Sequence, residues 1–207
     1  MGLIKPGLSF SLIHQLKSDL EDLSHRIDRL MHAIDNPNSS LLNEFEEIHH
    51  LFHDIQVSTA SHYLNSYLAP FTNQFGVLSK AIQHLSDRNH GALIVIQRND
   101  TLDSYIHSGV PVNADLSFPL LESIFYTGSP LHDGAVLVCG STIVSAANVL
   151  PVSKQMVVEK KLGTRHRAAL GLSELTDALI LVVSEETGRA TFAFAGELYP
   201  IRTNGAN

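Results

Sequence analysis

The chain lacks the features that mark several large protein classes. It has a single cysteine, Cys139, so no disulfide can form within it and a disulfide-stapled secreted domain is excluded. No apolar run approaches the ~18 residues that a membrane-spanning helix requires. Residues 1–10 carry no apolar stretch of signal-peptide length, and the expectation is a cytoplasmic protein with no membrane partner. Charged residues make up only 17%, too few for a chain kept unfolded by its own charge. The net charge of -7 repels a nucleic-acid backbone, so no nucleic-acid partner is expected. The common nucleotide and nucleophile frameworks are also missing: no GxxxxGK loop, no GxGxxG, no GxSxG and no zinc-type cysteine pairs.

What is present fits one ordinary domain with a helical extension. The 207 residues are 44% hydrophobic, enough for a real core. Ile13, Leu16, Leu20, Leu23, Ile27, Leu30 and Ile34 recur in alternating steps of three and four. That pattern lays a narrow coiled-coil-like stripe along one helix. Asn36-Pro37-Asn38 ends it, because proline cannot continue the hydrogen-bond ladder. Ser39 or Ser40 can cap a second helix, whose stripe is Leu41, Phe45, Ile48, Phe52 and Ile55 and which continues through Tyr63 and Leu64 toward Leu68. The spacing predicts a helical hairpin over 1–69, either a packing appendage or an oligomerisation and regulatory element. Pro70 marks the boundary. A third helix is expected over 71–85.

Beyond it the pattern changes. Ala92-Leu93-Ile94-Val95-Ile96 is a short continuous apolar run of the kind a fully buried strand shows. Runs at 135–139, 143–149, 178–183 and 190–195 look the same, with helices expected near 120–126 and 157–170. Strands mixed with helices predict an α/β fold over 70–207. Cys139, in such a run, is expected to be a buried thiol acting as a small hydrophobe.

Three segments of this second region carry candidate chemistry. The first is Pro130-Leu131-His132-Asp133-Gly134-Ala135, where Gly134 permits close approach by a ligand and Asp133 can hold a sugar hydroxyl, accept a proton or bind a metal. Taken alone it also fits an ordinary Asp-Gly turn. The second is Gly163-Thr164-Arg165-His166-Arg167. Guanidinium forks match phosphate oxygens, and Gly163 and Thr164 can open a helix whose free N–H groups face an anion. With Lys160 and Lys161 it is the densest basic stretch, well sized for a phosphate chain; the alternative is a solvated basic face. The third is Ser184-Glu185-Glu186-Thr187-Gly188, a hydroxyl and carboxylates that could meet phosphate and divalent metal, or a polar hairpin turn. In the helical region Glu46, Glu47, His49, His50, His53 and Asp54 hold only one stretch of the Glu-x-x-His pattern that di-iron bundles use twice. A solvated face explains them.

At these residues the sequence resembles the diadenylate cyclase domain. Asp133-Gly134-Ala135 matches that family's Asp-Gly-Ala motif, and Arg165-His166-Arg167 its Arg-His-Arg motif. The flanks match as well: Ser129-Pro130-Leu131-His132 before the first, Leu162-Gly163-Thr164 before the second, then Ala168-Ala169-Leu170-Gly171-Leu172-Ser173-Glu174 and Ser184-Glu185-Glu186-Thr187-Gly188. The likeness covers about residues 70–200 and is specific because the motifs occur in order with these flanks. It implies a mixed β-sheet flanked by helices, preceded by the N-terminal helical hairpin. It implies a nucleotidyltransferase that joins two ATP into cyclic di-AMP and releases two pyrophosphates, with two catalytic domains face to face. Asp133, Arg165 and Arg167 would be catalytic. Gly134, Ala135, Leu150, Gly163, Thr164, Arg165, His166, Arg167 and Ser184 would bind ATP. His132, Asp133, Glu185 and Glu186 are the candidate ligands of a divalent ion, Mg or Mn. A homo-oligomer is implied, at least a dimer of catalytic domains, with a hexamer as a further option. The short helical extension resembles the type associated with sporulating bacteria, in which it is thought to restrain activity. Rival readings are a nucleotide-sensing module without turnover and a helical scaffold with a metal site at His49, His50 and His53.

Overall fold

The computed structural model describes residues 9–34, 40–154 and 162–202. The expected breaker at 36–38, the lysines at 160 and 161 and the expected helix start at 157 lie outside them. The backbone divides into two compact units, residues 1–63 and 64–207.

In the first unit, α1 (Phe10–Ala33) is capped by Ser9, whose hydroxyl accepts the Leu12 N–H at 3.3 Å. This satisfies one of the amides that a helix start leaves unpaired. The second helix, α2 (Leu41–Leu68), begins where the Ser40 carbonyl accepts from Asn43 and Glu44. Arg26 on α1 pairs with Glu47 on α2. The apolar stripe of α1 is split lengthwise. Leu23 and Leu30 are buried and Leu16 is half-buried, whereas Ile13, Leu20, Ile27 and Ile34 are exposed. Each row repeats every seven residues, so within this chain one row of the seam is covered and the other is not. On α2, Phe45 and Phe52 are likewise exposed, while Ile55 and Val57 are buried.

The second unit is built on a seven-stranded sheet in the order β2-β4-β3-β1-β5-β6-β7. Its strands are β1 (Ala92–Ile96), β2 (Val110–Asp115), β3 (Ala135–Cys139), β4 (Thr142–Asn148), β5 (Leu179–Val183), β6 (Ala190–Phe194) and β7 (Glu197–Pro200). Only β1 and β3 run parallel; the other neighbouring pairs are antiparallel. Central β1 and β5 are buried at every position, which is why both read as unbroken apolar runs. Three helices accompany the sheet: α3 (Phe75–Asp87) and α4 (Phe118–Phe125), which pack together, and α5 (Thr164–Leu175), which lies on β5 and β6. The mixed sheet flanked by helices is the expected one. The α5 face Ala168, Ala169 and Leu172 joins Leu93, Val95, Ile180 and Val182 in one cluster. Burying a leucine such as Leu172 there contributes roughly 1.5–3 kcal/mol.

The edge strands β2 and β7 were not expected. Val110–Asp115 contains Pro111 and alternates between exposed and half-buried, and Glu197–Pro200 has only four residues. Neither is an apolar run, because an edge strand buries one face at most. Cys139 corrects another expectation. It is exposed, as the last residue of β3, paired with Thr142 across the turn at Gly140 and Ser141.

Candidate active site

The strand directions gather the first and third sequence segments on one edge of the sheet, and the Arg165–Glu185 contact brings the second to it. β1 and β3 begin there, while β4 and β5 end there: Ala92 is opposite Val183, and Ala135 is opposite Asn148. Asp133-Gly134 therefore enters β3 on the same edge at which Val149-Leu150 leaves β4 and Ser184-Glu185 leaves β5.

A β-bulge shapes the first corner. The β3–β4 register shifts between Ala135 and Leu137, and Ala147 on β4 sits at φ 54°, the left-handed region that costs an alanine about 1–2 kcal/mol. Gly134 lies against this bulge at φ 106°; a Cβ there would stand 2.8 Å from both the Ala147 carbonyl carbon and the Asn148 oxygen. Only glycine fits. Buried Asn148 ties the corner together, its Nδ2 donating to the Ala135 carbonyl at 2.7 Å and its Oδ1 accepting from Ser145 Oγ at 3.0 Å. Next along the chain, Val149 exchanges backbone hydrogen bonds with His107, and the Leu150 side chain is buried in the α5-side cluster. Asp133 itself is exposed.

The second corner is the start of α5. Gly163 is the extended N-cap residue, without a side-chain cap, so Thr164, Arg165 and His166 occupy the turn whose N–H groups have no partners within the helix. That end attracts anions. Arg165 turns sideways: its Nη1 donates to Glu185 Oε2 at 2.7 Å, joining α5 to the end of β5. The guanidinium fits against Gly91, where a Cβ would lie 2.3 Å from Nη1. Its Nε is buried without a partner. The Arg165 hydrogen bond and charge hold the Glu185 carboxyl below the usual carboxylate range, with smaller contributions from His132 and His90. His132 Nδ1 donates to the Ser129 carbonyl at 2.5 Å, which leaves Nε2 as the free nitrogen. Burial pushes His166 below the ordinary histidine range, so at neutral pH it can offer a ring N–H without a full charge. Arg167 is exposed, with Nη2 at 3.4 Å from the Ser153 carbonyl.

Ser184 begins the third corner. Its carbonyl accepts from Gly188 at 2.9 Å and its Oγ accepts from Thr187 N–H at 3.3 Å, so the hydroxyl proton remains to be given elsewhere. Glu186 is exposed in the same turn. The Ser86 hydroxyl donates to the Gly188 carbonyl, holding this turn against the end of α3.

The structure thus brings Arg165 and Glu185 into contact and sets His132 within electrostatic reach of them. Among the described residues no three His, Cys, Asp or Glu side chains come together as a metal-binding group, and that includes the histidines of α2. Gly91, Asn148, Ser153, Gly171 and Glu174 support the site and were given no role from sequence. Each acts through a partner elsewhere in the chain, and only the spacing of Gly91 to Arg165 and of Gly171 to Pro151, Val152 and Ser153 exposes the reason for a glycine.

Comparison with known proteins agrees with this geometry. Residues 79–198 match the family model described as the DisA bacterial checkpoint controller nucleotide-binding domain. Residues 6–71 match the N-terminal domain of diadenylate cyclase CdaS. The chain is 53% identical to diadenylate cyclase CdaS of Bacillus thuringiensis, over 94% of this chain and 97% of that protein. It is 48% identical to cyclic di-AMP synthase CdaS of Bacillus subtilis, over 88% of this chain and 87% of that one. A crystal structure from Bacillus cereus, titled a hypothetical membrane spanning protein, superposes with a TM-score of 0.78 at 52% identity, covering 93% of this chain and 94% of its own. Among the described residues of this chain, no helix is long and apolar enough to cross a membrane. A double mutant of DacA from Staphylococcus aureus superposes with a TM-score of 0.59 at 43% identity, over 62% of this chain and 86% of that one. With both of its parts matched and a relative more than half identical along nearly the whole length, the chain belongs to the diadenylate cyclase family and is an enzyme of its CdaS type.

Proposed function

We propose that each chain binds one ATP on the β1–β3–β4–β5 edge of its sheet, and that two such edges meet face to face to make cyclic di-AMP. The observation that carries this is the convergence of Asp133-Gly134, Leu150, the α5 start and Ser184 on one sheet edge. The edge offers one Asp133 and one set of phosphate-binding groups. The reaction requires two of each: the 3'-hydroxyl of either ATP attacks the α-phosphorus of the other, a P–O bond forms, and the bond to pyrophosphate breaks in line. A homo-oligomer with at least paired catalytic domains follows, and the resemblance of the helical extension to the type associated with sporulating bacteria makes the cytoplasm of such a cell the proposed setting.

Catalysis here is mostly positioning and charge neutralisation. Asp133 orients the 3'-hydroxyl and helps to remove its proton. Gly134 and Ala135 let ribose and phosphate approach the backbone. The Leu150 side chain is buried, so it meets the adenine through its backbone. The unpaired N–H groups around Gly163 and Thr164, the neutral His166, the Arg167 fork and the Ser184 hydroxyl hold the triphosphate and the departing pyrophosphate. Arg165 contributes through its grip on Glu185 and through its remaining charge.

A divalent ion, Mg or Mn, is part of this reading, and the donors fit one that takes most of its ligands from phosphate and water. Among the described residues no three of the candidates His132, Asp133, Glu185 and Glu186 converge, so exposed Asp133 would be the chain's main donor, with the others near it. When bound, it would neutralise charge on the phosphate oxygens.

The test is to incubate the purified chain with ATP and Mn or Mg and to identify the product by mass, alongside Asp133→Asn. Cyclic di-AMP and pyrophosphate from the unaltered chain, and about a hundredfold less of both from the variant, are expected. ATP binding without pyrophosphate release would make the chain a nucleotide sensor instead.

A further inference from the structure

The chain leaves β4 as a short strap, Pro151-Val152-Ser153-Lys154, that lies along α5. It can lie that close because of Gly171: a Cβ there would stand 2.3 Å from the Pro151 oxygen, 2.5 Å from the Ser153 nitrogen and 2.7 Å from the Val152 carbonyl carbon. Ser153 is the buried residue of the strap, 4% exposed, whereas Val152 beside it is 46% exposed. Its N–H donates to the Arg167 carbonyl at 2.9 Å, and its carbonyl receives Arg167 Nη2 at 3.4 Å. Its hydroxyl donates to Glu174 Oε1, two turns further along α5. Ser153 therefore touches both ends of one stretch of helix, and the first of those ends is the second arginine of the Arg-His-Arg motif.

We propose that Ser153 and Glu174 are positioning residues that set the distance between the adenine-binding backbone at Leu150 and the phosphate-binding fork of Arg167. This deepens the reading above and rests on it. Leu150 is joined to Ser153 by at most about 10 Å of chain, so wherever Ser153 is pinned on α5, Leu150 must follow. The pin is polar and specific. The Glu174 carboxylate accepts from the Ser153 hydroxyl, and a hydrogen bond to a charged group favours the strap position that keeps it. An apolar residue at 153 would pack at several neighbouring depths along the helix. ATP spans adenine to triphosphate as one molecule, and an error in this spacing appears as weaker binding and misdirected phosphates rather than as unfolding.

The experiment compares Glu174→Ala, Glu174→Gln and Ser153→Ala in the full chain, by initial rates across ATP concentration and by thermal melting. Glu174 is exposed, so its variants fold. Glu174→Ala should raise KM about tenfold, the scale of one hydrogen bond to a charged group. Ser153→Ala should do the same. Glu174→Gln keeps the Oε1 acceptor and should restore KM to within about twofold. A lower Tm with unchanged KM in Glu174→Ala overturns the proposal, as does a Gln variant as impaired as the Ala variant. Arg167→Lys is measured alongside. If it is fully active, the assignment of the phosphate site itself has failed; if it is impaired while Glu174→Ala is normal, the latch alone has failed.

Discussion

An alanine at position 91 would place its Cβ 2.3 Å from Arg165 Nη1, 2.7 Å from Arg165 Cζ and 3.0 Å from Glu185 Cβ. The backbone at Gly91 has no positive φ, so the substitution adds no local strain, and fewer unfolded conformations favour alanine by about 0.4–1 kcal/mol. The two nearest atoms belong to the far end of the long Arg165 side chain, which can withdraw by about an ångström to reach ordinary van der Waals contact, while Glu185 Cβ has to give only a few tenths of an ångström. That withdrawal takes Nη1 out of hydrogen-bond range of Glu185, to which it now lies at 2.7 Å. The pair is partly solvated, with side chains 23% and 55% exposed, and its loss costs at most about 1 kcal/mol. The two terms nearly cancel. The expected Tm therefore moves by less than about 4 °C, while the guanidinium and carboxylate that the proposed mechanism sets beside the triphosphate are displaced by an amount that would cost about 10–100-fold in turnover. The assay is cyclic di-AMP formation at saturating ATP, with a melt on the same sample. Full turnover at unchanged Tm would refute the claim that the position of Arg165 matters. A large fall in Tm would refute the packing argument.

Four further outcomes are expected. Asp133→Asn should lower turnover by about 10²-fold with ATP affinity little changed, measured by initial rates and equilibrium binding. Arg167→Lys keeps the charge and loses the fork, so triphosphate binding measured by competition should weaken. Burial lowers the folded-state pKa of His166, so the unfolded chain takes up that proton first as pH falls below about 6.5. Stability from this group is present above that pH and is lost toward the lowered folded pKa, and His166→Gln should flatten the fall of Tm between pH 7 and 5.5. On α1, Leu20→Asp falls on the exposed row and should change the oligomer while leaving the hairpin intact. Leu23→Asp falls on the buried row and should unfold the hairpin by burying a charge; size and rate measured together across protein concentration decide whether the extension restrains or promotes activity.

The centre of the fold and the candidate site groups were legible in sequence, for separate reasons. β1 and β5 announced themselves because burial on both faces demands unbroken apolar runs, and Asp133, Arg165 and Arg167 because their chemistry is in the side chain. β2 and β7 went unseen because an edge strand needs neither a long run nor a strict alternation. Ser153 and Glu174 look like ordinary polar residues in sequence; only their meeting across 21 positions gives them a role. Gly91 and Gly171 show the same limit, since nothing local demands a glycine at either place. Cys139 was misjudged because an apolar run does not reveal which of its residues reaches the turn.

That misjudged cysteine has a practical consequence. It is the only thiol in the chain, it is exposed, and β3 carries it the full length of the strand, about 13 Å, from Ala135 on the edge of the candidate site. A maleimide dye would therefore attach once per chain, at a known place, at the far end of β3 from the candidate site. Energy transfer between donor- and acceptor-labelled copies would then report the spacing of catalytic domains in real time, while the same cuvette reports pyrophosphate release.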